Sequence, residues 1–358
     1  MTAASLPFAL TRAGVVMGPD PADPLEREGV LNPASGRTPD GRLHLLPRLV
    51  AEGNVSRVGL AEVVVQNGVP VGVERRGVVL EPDQQWERGN GHAGVEDPRV
   101  TWLPSLRRHV MTYVAYGPFG PRPALAVSED LVQWRRLGPL HFAYDPDLDA
   151  DLNLFPNKDC VWFPEPVPGP GGPAYAMLHR PMWDLSWVVP GEQGHLPAGV
   201  EDERPGIWIS YVPAAEIAHD LSALVRLRDH RPVALSAFEW EALKIGAGPP
   251  PLRVSDGWLA IHHGVTGEMD PSTDQQQRVR YKAGALLLDA EDPSRVLARS
   301  REPLLSPEAP EELEGTVPNV VFPTAIEQID GATYVFYGMA DTHIGVARLD
   351  GVEASAAP

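Results

Sequence analysis

Short stretches of this 358-residue chain carry the residue types from which a catalytic site is assembled. Glu96-Asp97-Pro98-Arg99 sets carboxylates beside a guanidinium. On a strand, side chains alternate, so Asp97 and Arg99 share a face and Glu96 points the other way; Pro98, with no N–H to donate, belongs at a strand start or edge. The Asp97/Arg99 pair reads as an acid next to a cation, and equally as an ordinary ion pair that fixes a turn. Lys158, in Asn157-Lys158-Asp159, and His179-Arg180 form a basic group in a chain of net charge -18. Basic residues gathered against the overall charge suggest an anion site. Arg122 sits on a turn between two strands, within swing of the same place, although a plain turn residue fits its spacing better. His262 and His263 invite a metal reading, but neighbours on a strand face opposite ways and no HExxH or CxxC spacing accompanies them, so no metal is expected. The chain has no Walker loop or nucleophile elbow, which argues against nucleoside triphosphate and serine-hydrolase chemistry.

These residues lie on or beside a recurring unit. Apolar runs at 44–48, 110–114, 175–179, 258–262 and 334–338 are each followed by a second alternating run, from Ser56, Pro123, Gly206, Ala283 and Ile344, with a small residue at its centre. The period is two, which is a strand signal. Ahead of four pairs lies a short polar or Gly/Pro element, at 96–100, 158–162, 246–250 and 317–321, with Asn32-Pro33 a degraded fifth. Strand units repeated at uneven spacing predict an all-β fold, a five-bladed β-propeller. A β-sandwich would also give many short strands, but it leaves the recurrence of polar elements at one point of each unit unexplained. In a propeller those points meet at one axial channel although they are far apart in sequence.

Composition narrows the partners. The negative charge makes nucleic acid and anionic membrane poor ones, because both demand a basic footprint. The 39 prolines and 34 glycines sit at strand ends and report turns. Cys160 is the single cysteine, which excludes an internal disulfide, and its apolar surroundings predict a packing role. Residues 1–15 lack a basic region followed by an apolar one, and no run approaches eighteen apolar residues, so a soluble cytoplasmic protein is expected. The expected division is an N-terminal extension over 1–27 packing on the propeller, a catalytic propeller over 28–350 and a tail over 351–358. A homo-oligomer is compatible with the several faces a propeller exposes.

The ordered strings Gly94–Thr101, Asn157-Lys158-Asp159, Phe163-Pro164-Glu165, Met177–Pro181, Gly246–Pro250, His263-Gly264-Val265, Leu288–Pro293, Val320–Thr324 and Ala340-Asp341-Thr342 resemble the motifs of glycoside hydrolase family 130, the β-mannoside phosphorylases and related β-mannosidases. The resemblance spans about residues 28–350 and implies the same propeller. It implies Asp97 as general acid; Lys158, His179 and, less directly, Arg122 as phosphate-binding residues; and Arg48, Arg99, Asp159, His263 and Asp341 as sugar-binding positions. The implied reaction is inverting: phosphate, a co-substrate with no other cofactor required, attacks the anomeric carbon of a terminal β-mannosyl unit of an oligosaccharide and gives α-mannose 1-phosphate. In the family the proton of the Asp is thought to reach the glycosidic oxygen through a hydroxyl of the mannose itself.

That reading is chemically coherent. An inverting hydrolase needs one carboxylate to protonate the leaving oxygen and another to deprotonate water. A phosphate nucleophile needs no base but needs cations to hold it in line and offset its repulsion from Asp97. The alternatives are a β-mannosidase of the same family, with Asp159 or Glu165 as base, and a non-catalytic glycan-binding propeller. Linkage and acceptor are expected to depend on the loops 184–203 and 267–277, the first carrying Trp187 just after Trp183, either of which could stack on a sugar or pack on the body.

Overall fold

A computed structural model describes residues 6–89, 93–185, 191, 196–268 and 278–352. The recurring apolar runs are the second strands of five antiparallel blades. Blade one comprises Gly29–Arg37, Leu43–Ala51, Val55–Gln66 and Val69–Leu80, and blade two Ala93–Leu103, Arg108–Gly117, Gly120–Ser128 and Arg135–Pro139. Blade three is Asn157–Trp162, Gly172–Pro181, Ile207–Pro213 and Arg226–Ala234, and blade four Lys244–Ala247, Gly257–Glu268, Arg278–Leu288 and Val296–Arg299. Blade five is Val321–Ile329, Ala332–Met339 and His343–Asp350, and its fourth strand is Ala9–Met17 from the other end of the chain, so strands from both ends close the ring. No described helix is long and apolar enough to cross a membrane.

The second strands read as nearly continuous apolar runs because both of their faces are covered. Leu45 packs into the core between blades five and one, and Leu46 into that between one and two. Met111 and Val110 divide in the same way between the one–two and two–three cores, Met177 and Ala176 between two–three and three–four, Ala260 and Leu259 between three–four and four–five. Apolar cores thus alternate with the five blades. Cys160 is buried in the two–three core, where burial pushes its thiol above the ordinary range. Trp183 is buried there too, edge-on to Phe155 and Trp208, and so packs on the body; Trp187 lies outside the described residues.

Four blades are braced by a buried glutamate that stands in a short helical turn just before the innermost strand. Glu26, Glu87, Glu241 and Glu312 pair with Arg75, Arg136, Arg299 and Arg12 of the outermost strands of blades one, two, four and five, at 2.7–2.8 Å. In three of these blades a second-strand side chain completes the brace: Tyr113 on Glu87, His262 on Glu241 and Tyr337 on Glu312. The small residue at the centre of the third strands makes room for them. A Cβ on Gly284 would lie 2.8 Å from His262, and one on Gly345 2.6 Å from Tyr337. Blade three departs from this pattern.

Candidate active site

Residues in the left-handed region stand inside or just ahead of the innermost strands: Asn32 at φ +43°, Asp97 at +47°, Asp159 at +55°, and Asn319 at +62° just ahead of blade five. Asn and Asp tolerate that conformation better than other side chains. In blades one to three it coincides with a break in the ladder, between Leu31 and Ala34, Glu96 and Arg99, and Lys158 and Val161. These are β-bulges, which re-aim side chains. Pro33 and Pro98 occupy two of them, where a missing N–H costs no ladder bond. Blade four uses glycine instead: a Cβ on Gly246 would sit 2.1 Å from Asp159 Oδ2 and 2.5 Å from the His263 ring.

The bulge overturns the expected alternation at 96–99. Glu96 and Asp97 do not face opposite ways; both reach the same guanidinium, Arg48 Nη2 donating to Glu96 Oε1 at 2.9 Å and Nη1 to Asp97 Oδ1 at 3.1 Å. Asn32 Nδ2 donates to the same Asp97 oxygen at 2.8 Å. Arg48 is itself held by Ser56 Oγ and Asn54 Oδ1. Burial opposes its charge, but Glu96, Asp97 and Asp341 together raise its pKa above the usual value. Nor do Asp97 and Arg99 form an ion pair. Arg99 is buried, donates to the carbonyls of Gly248, Asp97 and Pro98, and lies over the Phe322 ring, so it ties blades two, four and five together.

Asp341 stands in the turn between the second and third strands of blade five. Ala340 and Asp341 both have positive φ, and Thr342 N closes on Met339 O at 3.0 Å, the form a tight hairpin prefers. Burial raises the Asp341 carboxyl to about 6; Arg48 opposes the shift and Asp97 adds to it.

Facing these acids is a set of cations. Lys158 Nζ lies 3.9 Å from Glu96 Oε2. Arg180 Nε donates to Asp159 Oδ2 at 2.6 Å, and although burial favours the neutral acid, Arg180, with His263 and Arg99, holds Asp159 well below the ordinary carboxylate range. Lys244, at the head of blade four, is half-buried over the Tyr281 ring and has no ion pair among the described residues. Burial, with repulsion from Arg180 and Lys158, lowers it to about 7. His263 lies beside Asp159, at 3.6 Å, and against Phe322 and Tyr281, and burial keeps it neutral. His262 turns the other way to Glu241, so the two histidines diverge.

Two residues expected at the phosphate site are engaged elsewhere. His179 is fully buried with Asn157 on Nδ1 and Ser210 on Nε2, leaving neither nitrogen open while those bonds hold. Arg122 donates to the carbonyls of Asn153 and Phe155 and props the segment that leads into blade three. Glu165, weighed above as a base, is exposed. The structure therefore brings together Arg48, Asp97, Lys158, Asp159, Arg180, Lys244, His263 and Asp341. Lys244 went unread because a lone lysine before Ile-Gly carries no local signal. Several buried polar atoms of the cluster have no protein partner, among them Asn32 Oδ1, Arg99 Nη2, Arg180 Nη1 and both nitrogens of His263. Buried polar groups in native proteins are normally satisfied, so such atoms are those a bound ligand or water would pair.

Comparison with known proteins gives a coherent picture. A family model described as beta-1,4-mannooligosaccharide phosphorylase matches residues 26–353. A 1,2-beta-oligomannan phosphorylase of Thermoanaerobacter sp. is 32% identical over 349 residues, 94% of each chain. A beta-1,2-mannobiose phosphorylase of Listeria innocua is 31% identical over 252 residues, 70% of this chain and 56% of that one. Among solved structures, a Listeria innocua beta-1,2-mannobiose phosphorylase in complex with beta-1,2-mannobiose superposes with a TM-score of 0.69 at 21% identity, covering 95% of this chain and 96% of the other, a likeness of fold.

Proposed function

The chain belongs to glycoside hydrolase family 130, and on that premise we propose that it is an inverting β-mannoside phosphorylase. The observation that carries the reading is the gathering of cations at the axis: Lys244, depressed by burial and further by Arg180 and Lys158 with only partial relief from Asp159, has no ion pair among the described residues. An anion bound there would relieve the repulsion. A water nucleophile would need a base in the same place, but Asp159 is pinned by Arg180 and Glu165 is at the surface.

In this mechanism Asp97, steadied by Arg48 and Asn32, supplies the proton that reaches the glycosidic oxygen. Phosphate, held by Lys158, Arg180 and Lys244, attacks the anomeric carbon from the opposite side as the carbon–oxygen bond breaks. The products are α-mannose 1-phosphate and an acceptor one unit shorter, and the proton carried by phosphate returns to Asp97 or solvent. Asp159, His263, Arg99 and Asp341 line the sugar side. His179 and Arg122 act from behind, through the segments they hold. The test is cleavage of β-1,2- and β-1,4-mannobiose with and without phosphate. Cleavage that depends on phosphate is expected, and equal release of mannose in both conditions would refute the proposal.

A further inference from the structure

Blade three has no glutamate brace among its described residues. In its place a single hydrogen-bonded chain runs from the outermost strand to the innermost. Ala143 O meets His230 Nε2 at 2.9 Å, and His230 Nδ1 meets Ser210 Oγ at 2.7 Å. Ser210 Oγ meets His179 Nε2 at 2.7 Å, His179 Nδ1 meets Asn157 Nδ2 at 2.9 Å, and Asn157 Oδ1 accepts from the Arg180 N–H at 3.1 Å. The side chains are buried, and Phe142 packs against both imidazoles.

The two ends determine the direction of every bond. A carbonyl only accepts, so His230 carries its proton on Nε2 and accepts at Nδ1. Ser210 must then donate to His230 and accept from His179 Nε2–H, which leaves His179 Nδ1 to accept from Asn157. From the other end, a backbone N–H only donates, so the Asn157 oxygen faces Arg180 and its NH2 faces His179. Both derivations agree. Burial, which keeps both imidazoles neutral, fits the same arrangement.

We propose that Ser210 and His230 are positioning residues for the anion site: through His179 they fix the Asn157 amide, and through it the backbone of Arg180 at the point where the bulge breaks the ladder. Without the chain Arg180 N–H loses its partner, and the guanidinium that pairs with Asp159 loses its anchor. In three of the other blades the glutamate brace joins second to outermost strand; the chain in blade three continues to the innermost strand and to a residue of the cation cluster. The inference rests on the anion-site reading above.

The test uses the full chain, with inorganic phosphate as probe. In the unaltered protein, 15N spectra of the His179 ring should show one tautomer, protonated at Nε2, from pH 6 to 8; a proton on Nδ1 would overturn the chain. Ser210→Ala removes only the hydroxyl. Calorimetric titration should show phosphate binding weakened about tenfold, the equivalent of about one hydrogen bond, while β-mannobiose binding changes less than about twofold. Ser210→Thr, which restores the hydroxyl, should bind phosphate as the unaltered protein does. If Ser210→Ala binds phosphate as tightly as the unaltered protein, or weakens both ligands alike, the positioning role fails. If the unaltered protein binds no phosphate at millimolar concentration, it is the proposed function that fails.

Discussion

Replacing Lys244 by glutamine separates an anion site from a chance cluster of charges. The lysine falls from 10.5 to about 7. That difference is roughly 5 kcal/mol against holding the charge, a ceiling that water lowers at a half-buried residue. If the charged form is needed to hold an anion, the observed dissociation constant scales as 1 + 10^(pH − 7), so binding should weaken roughly tenfold at pH 8 and roughly thirtyfold at pH 8.5. Sulfate is the right probe, because its own charge does not change over this range. Calorimetric titration should show that slope in the unaltered protein. Lys244→Gln should bind sulfate at least about thirtyfold more weakly at pH 6, as loss of a strong charge-assisted bond requires, with a flat profile above it. The stability sign is opposite to the usual lysine case. The folded protein binds fewer protons than the unfolded chain between about pH 7 and 10.5, so stability from this group rises with pH there, and the variant should lack that rise. Parallel sulfate profiles in the two proteins would refute the reasoning.

Other perturbations reach different parts of the site. Asp97→Asn should lower kcat by about 10²–10⁴-fold with KM for mannoside little changed, as loss of a general acid requires, and unchanged turnover would rule out the assignment. Asp341 is raised from 3.8 to about 6, so its share of stability is full below about pH 4 and lost as pH rises through 6. Asp341→Asn should remove that loss, by at most about 3 kcal/mol in denaturant titrations, and an unaltered pH slope would count against the coupling. Glu312→Ala strands Arg12 and Tyr337, and should cost about 3–5 kcal/mol while exposing the amides of 9–17 to hydrogen exchange before those of blade three; uniform exchange would show that Glu312 does not hold the closing strand.

The blades were legible because second strands covered on both faces must be apolar throughout, and the runs ending at Arg48, His179 and His262 show it. Asn32-Pro33 and Asp97-Pro98 marked the inner strands, but alternation cannot represent the bulge that turns Glu96 and Asp97 onto one guanidinium. His179 was given the phosphate role by the family resemblance, whereas its partners Asn157, Ser210 and His230 come from three different strands and leave no local trace. The braces had a faint signature, Gln85-Trp86-Glu87 and Glu239-Trp240-Glu241, but their arginines lie roughly fifty or more residues away. Lys244 is marked only by what surrounds it in space.

Phosphate, not water, displaces the leaving sugar with inversion in the proposed reaction. The most direct measurement is NMR of the first turnovers of a β-mannobiose in phosphate buffer, read before any anomer equilibrates. Mannose 1-phosphate of the α configuration should form in step with release of mannose from the reducing end. A β-configured phosphate, or two free mannoses with phosphate unconsumed, would contradict it.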